Sequence, residues 1–148
     1  MLIALMSLAL AAPLDPPKLS DEATKELKKF DGKWIVVKEI MSTGERESPQ
    51  FNGKDIVVEF KDRKMMFGEL SLFEIATLDP STDPKCLDVK SLVDFGALKK
   101  GTTYESIYKF DGDTLTWVGY AGEDKKRPTN YDSPKDSLTG VLVLKRVK

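Results

Sequence analysis

Apolar residues recur at every second position over several short stretches of the chain. Ile56, Val58 and Phe60 alternate with neighbours that include Asp55 and Glu59, and Leu142 and Leu144 alternate with neighbours that include Lys145. A period of two puts each set on one face of a strand. Segments rich in Val, Ile, Phe, Tyr and Thr, separated by Gly, Pro and Asp clusters, predict eight strands at about 33–41, 55–60, 64–67, 69–78, 86–92, 102–110, 114–120 and 139–146. Asp111-Gly112-Asp113, between Phe110 and Thr114, is a tight hairpin signal, because Gly and Asp tolerate the positive φ such turns require. A helical period occurs near the start, where Ala23, Leu27 and Phe30 stand at i, i+4 and i+7. Ser20 caps this segment, Asp21 and Glu22 suit its N-terminal end, Lys28 and Lys29 its C-terminal end, and Gly32 ends it.

Evenly spaced strands joined by short connections predict an all-β fold, an eight-stranded up-and-down antiparallel barrel with a short N-terminal helix. A long meander would leave two open edges, and closing it removes both. The polar stretch Gly122 to Ser137 is the long exception, expected to fold over one end of the barrel.

Residues Leu2 to Ala12 carry no charge, and Ala9-Leu10-Ala11 places an A-x-A site ahead of Pro13. This pattern predicts a signal peptide over 1–11, a linker over 12–19 containing Pro13, Pro16 and Pro17, and one domain over 20–148. The alternatives are an uncleaved tail or a wrongly assigned start. The apolar run is roughly half the ~20 residues a bilayer-spanning helix needs, so no stable membrane span is expected. The mature protein is therefore expected to be secreted or periplasmic.

Composition narrows the chemistry. The chain has 148 residues with 23 basic and 24 acidic side chains, a formal net charge of −1, one cysteine and no histidine. Near-neutrality argues against a nucleic-acid partner and against a polybasic membrane anchor. Without histidine the Ser-His-Asp and Cys-His nucleophiles, the two-His-one-carboxylate iron site and the usual zinc sites are excluded. Cys86 cannot form an intramolecular disulfide and reads as a small hydrophobe at a strand start, against the alternative of a redox or nucleophilic thiol. Asp111-Gly112-Asp113 would need ligands at positions held by Leu115 and Gly122 to be a calcium loop, so it reads as a turn. Glu39, Glu59, Glu74 and Glu105 lie on strands with no motif joining them and read as solvated faces. The expectation is a non-enzymatic protein with no catalytic residue, metal or cofactor.

Asp31-Gly32-Lys33-Trp34, after a short helix and at the opening of the first strand, resembles the G-x-W element of the lipocalin-like, or calycin, group. Further along stand Leu78-Asp79-Pro80, Pro84-Lys85 ahead of Leu87-Asp88-Val89, Ile107-Tyr108, Asp111 to Leu115, Arg127-Pro128-Thr129 and Val141 to Arg146. Taken in that order with Gly32 to Val37, they resemble an uncharacterised secreted domain family expanded in planctomycete bacteria, over roughly residues 24 to 147. The resemblance implies a lipocalin-like barrel and export. It also implies that Arg146, on the last strand, packs over Trp34 and closes the barrel base, a cation–π contact worth ~1 kcal/mol or more when desolvated.

Aromatic and methionine residues are the remaining positive feature. Phe60, Tyr108 and Trp117 fall on the inward face of three strands. In an eight-stranded barrel such residues either fill the interior or line a cavity for one small ligand. The expected function is binding of a small hydrophobic ligand through Phe60, Tyr108 and Trp117; the alternative is a filled barrel with no ligand cavity that binds a protein or envelope component through its loops and exterior. Arg127, in the long loop, is either a gate at the barrel mouth or part of a surface turn pairing a neighbouring acid.

Overall fold

The computed structural model describes residues 15–124, 126–133 and 137–148. The expected signal segment lies outside the described residues. Eight antiparallel strands form a closed barrel in chain order: β1 (Gly32–Met41), β2 (Val57–Lys61), β3 (Lys64–Phe67), β4 (Leu70–Asp79), β5 (Lys85–Ser91), β6 (Ser106–Asp111), β7 (Thr114–Tyr120) and β8 (Thr139–Arg146). Each strand pairs with the next. β8 returns to β1, with Trp34 opposite Arg146 and Val36 opposite Leu144. The ring also needs β5 beside β6, where Cys86 faces Ile107 and Lys85 faces Tyr108. The fold is thus the all-β, lipocalin-like eight-stranded barrel with one short helix. Shorter strands decorate the end opposite the helix: Gly44–Glu47 on β1, Thr103–Tyr104 on β5, and a separate hairpin of Gln50–Phe51 with Lys54–Asp55.

The helix α1 (Asp21–Leu27) starts at Ser20, whose Oγ accepts from the backbone N–H of Ala23 at 3.0 Å. Its inward face carries Ala23 and Glu26, with Phe30 just beyond its end, all three buried, while Leu27 is only half-buried. Phe30 enters the base of the barrel, with ring centroids 5.5 Å from Phe60, 5.1 Å from Tyr108 and 4.9 Å from Phe110. These tilted and edge-on arrangements are the favourable ones for aromatic quadrupoles. Trp34 is fully buried beside them, and its Nε1 donates to the Phe30 carbonyl at 2.7 Å.

Alternation is interrupted at three places. The register slips between Val36 and Lys38 on β1, between Met65 and Met66 where β3 meets β4, and between Ile75 and Thr77 on β4. A bulge adds one residue and so moves the later residues of its strand to the other face. At the β4 slip the Arg63 guanidinium donates to the carbonyls of Ile75 and Ala76 and also to that of Pro17, which ties the linker to the barrel base. Arg63 does this from φ +67°, a left-handed conformation in the tight β2–β3 turn.

The wall made by β6, β7 and β8 is apolar on both faces. Tyr108, Leu115, Trp117 and Leu144 point inward, whereas Ile107, Val118 and Val141 form a second buried cluster on the outside, covered by Tyr131. Residues 126–133 of the long loop after β7 therefore lie along this outer wall instead of closing one end of the barrel. The cause is the outward apolar set, which needs a cover that Tyr131 provides.

Candidate functional site

Phe60, Tyr108 and Trp117 all face inward and all are buried, at 4%, 0% and 6% exposure. Phe60 and Tyr108 belong to the aromatic plug around Phe30. Trp117 is the register partner of Tyr108, but its ring has a different neighbour. It meets Phe73 edge-on at 5.6 Å, and its Nε1 donates to Ser106 Oγ at 2.8 Å. The Ser106 hydroxyl donates in turn to the Leu87 carbonyl. The three residues are thus split between two packed levels of the core. Two concavities lie elsewhere: one of about 160 Å³ involving Tyr104 and Ala121, and an open one of about 300 Å³ along Met41 to Glu45 and Ser133. None of the three candidate residues lines either.

Trp34 and Arg146 meet at the base. The Arg146 Cζ lies 4.2 Å from the Trp34 ring centroid. Its Nη1 donates to the Asp31 carbonyl at 2.8 Å and its Nη2 to the Lys29 carbonyl at 2.6 Å. The guanidinium thereby supplies donors to carbonyls just beyond α1, where a cation is favoured. Gly32 has φ +114°, and a Cβ there would come 3.3 Å from Arg146 Nη1. The G-x-W glycine is needed both for its backbone conformation and for the space the arginine occupies.

Arg127 lies on the outer wall. Its Nη1 and Nη2 donate to the two carboxylate oxygens of Asp88 at 2.6 and 3.1 Å, and Nη1 also donates to the Ser106 carbonyl at 2.9 Å. Asp88 alternates with the inward Leu87 and Val89, so this fork grips the outside of β5 and β6. Tyr131 adds a second fastening by donating from its hydroxyl to the Tyr108 carbonyl at 3.2 Å.

Two shielded carboxylates, one buried and one partly buried, were not legible as such in the chain. Glu26 is buried where α1 meets the barrel, bonded to Lys29 Nζ at 2.6 Å, Lys85 Nζ at 3.0 Å and the Tyr108 hydroxyl at 3.2 Å. Burial alone would raise its pKa, but bonds and charges from Lys29 and Lys85 outweigh this and hold it below the ordinary carboxylate range. The same burial, with the Glu26 charge beside it, pushes the Tyr108 hydroxyl far upward, so it stays protonated as a donor. Spacing carried a signal for Glu26, since it stands three residues after Ala23 and four before Phe30. Glu39 is the second. Beyond the β1 bulge it stands opposite Leu142, which packs on the interior cluster, and its carboxylate accepts from Arg46. The solvated face read from the sequence does not hold for Glu39, because the bulge turns it inward.

Exposed apolar side chains concentrate at the end away from α1. Among the described residues Phe95 is 74% exposed, and Phe51, Leu70, Leu138 and Val57 are also exposed, all on loops or strand starts at that open end. At the base Val147 is the one exposed large apolar side chain among the described residues. No three cysteine or carboxylate side chains converge as a metal-binding group among the described residues, and no helix there is long and apolar enough to cross a membrane. Comparison with family models, curated proteins and solved structures gives no match.

Proposed function

We propose that this chain is an exported, non-enzymatic lipocalin-like barrel that works as a protein-interaction module, with a filled interior and a docking surface on its open-end loops. The observation that carries the reading is the one-sided distribution of exposed apolar side chains among the described residues. Phe51, Val57, Leu70, Phe95 and Leu138 occupy the open end, whereas the inward aromatic residues are packed against one another. Apolar side chains within a polar rim are the usual composition of a protein–protein contact. The rim mixes charges of both signs, with Arg46, Lys54, Lys99 and Lys100 beside Glu45, Asp55, Glu69 and Asp94. Such a mixture complements a protein surface better than an anionic lipid or nucleic-acid surface, which selects for one sign.

The hydrophobic-carrier reading has less support, since a drug-sized ligand needs roughly 300 Å³ or more of largely enclosed apolar space. Site-specific photo-crosslinking in the native cells tests the proposal. A benzophenone side chain at Phe95 or Phe51 is expected to give a discrete protein adduct that the same group at Val147 does not give. Equal labelling from both ends would contradict the reading, as would no protein adduct together with a lipophilic molecule co-purifying with the protein.

A further inference from the structure

The smaller concavity at the open end has a chemistry of its own. It measures about 160 Å³ and is walled by Ala97, Lys99, Thr102, Tyr104, Ala121 and Glu123. Two alanines leave the space, and the nearly buried Tyr104 ring forms a wall. That ring is fixed, because the Tyr104 hydroxyl accepts from the Lys99 backbone N–H at 2.8 Å and donates to the Ala97 carbonyl at 3.4 Å. The loop bearing Lys99 is tied again where the Lys100 N–H donates to Asp94 at 3.0 Å. On the opposite side, Gly122 lies under a Tyr120 ring folded so tightly over it that a Cβ would lie 2.3 Å from that ring. Tyr120 in turn donates to Asp124 at 2.6 Å, so both walls are anchored by specific bonds.

Among the described residues one ion pair bridges the walls, from Lys99 Nζ to Glu123 Oε1 at 3.1 Å. The Glu123 side chain is 90% exposed, and exposed pairs of this kind contribute only ~0–1 kcal/mol. We propose that this concavity is a binding site for a small carboxylic acid with a short apolar or aromatic body. Its carboxylate takes the place of Glu123 on the Lys99 ammonium, with the Thr102 hydroxyl as a second donor, and its body lies against Tyr104, Ala97 and Ala121. The displaced Glu123 side chain moves into solvent. An anion is favoured over a cation because the donors sit on the wall built by Tyr104, while Glu123, the acidic side chain of the lining, is held among the described residues by the same Lys99 it would release.

The concavity shares Lys99 with the rim of the open-end surface, and a test on the isolated protein with a small molecule keeps its failure distinguishable from that of the protein-docking reading. The probe is benzoate, compared with benzamide as its uncharged analogue, titrated while amide resonances are followed by NMR. Saturable shifts at Lys99, Thr102, Tyr104 and Gly122 are expected for benzoate, with benzamide weaker by about tenfold. Lys99→Met is expected to abolish the benzoate response and Glu123→Gln to strengthen it a few-fold; both side chains are exposed, so the fold is kept. Equal binding of benzoate and benzamide, a response surviving Lys99→Met, or no saturable shift at tens of millimolar would each overturn the proposal.

Discussion

Arg146 lies over Trp34 at 4.2 Å while bonding the carbonyls of Lys29 and Asp31, so one guanidinium joins the last strand, the first strand and the end of the helix. The contact that closes the barrel base also fixes the plug. Arg146→Lys is expected to cost about 1–2 kcal/mol, because a single ammonium cannot reproduce the planar stack and both carbonyl bonds. Trp34→Ala is expected to cost about 3–5 kcal/mol through the cavity it leaves. Urea unfolding of the two variants measures both, and an Arg146→Lys protein as stable as the parent would contradict this role.

Glu26 gives a pH dependence whose sign is set by its environment. Its folded pKa is held low by Lys29 and Lys85 despite burial, so the unfolded chain takes up a proton first as pH falls. The stability it provides is complete above the unfolded carboxylate value of about 4.5 and is lost as pH drops through the folded one. Thermal melts from about pH 7 down to about pH 3 should show Glu26→Gln less stable at neutral pH and less sensitive to acid. Some acid sensitivity will persist, because Asp79, whose carboxylate accepts from the Ser81 hydroxyl and N–H, shifts in the same direction. An unchanged acid slope in Glu26→Gln would refute the assignment.

Arg127 fastens the long loop to the outer wall. Arg127→Ala leaves the largely buried Asp88 carboxylate without its fork and is expected to cost about 1–3 kcal/mol. Hydrogen exchange should speed up in residues 126–133 and in β6, while β2 and β3 remain protected. Uniform acceleration across the barrel, or none, would contradict the strap.

Much of this fold is legible in the chain, and the parts that are not have identifiable causes. Ile56, Val58 and Phe60 mark β2 by plain alternation, and Asp111 to Thr114 marks the β6–β7 turn, where Gly112 takes φ +57°. Glu39 is misplaced because a bulge carries no strong local signature, yet it reverses every later position on its strand. The path of the long loop is hidden for another reason. Ile107, Val118 and Val141 read as ordinary strand residues, and only the assembled barrel reveals that they lie on its outside and need Tyr131 to cover them. The candidate trio was recognisable as inward-facing. Whether inward residues enclose space depends on Phe30, which arrives from a different element and fills the base.

The most direct test of a filled interior is a titration of the protein with a lipophilic fluorescent probe, read through tryptophan fluorescence and paired with the stability of Trp117→Ala. The packed contacts of Trp117 with Phe73 and Ser106 predict no saturable binding to the parent and a loss of about 3–5 kcal/mol in the variant. Saturable binding at about micromolar affinity that quenches the parent's fluorescence, abolished in a Trp117→Ala protein of nearly unchanged stability, would contradict the filled barrel and restore the carrier.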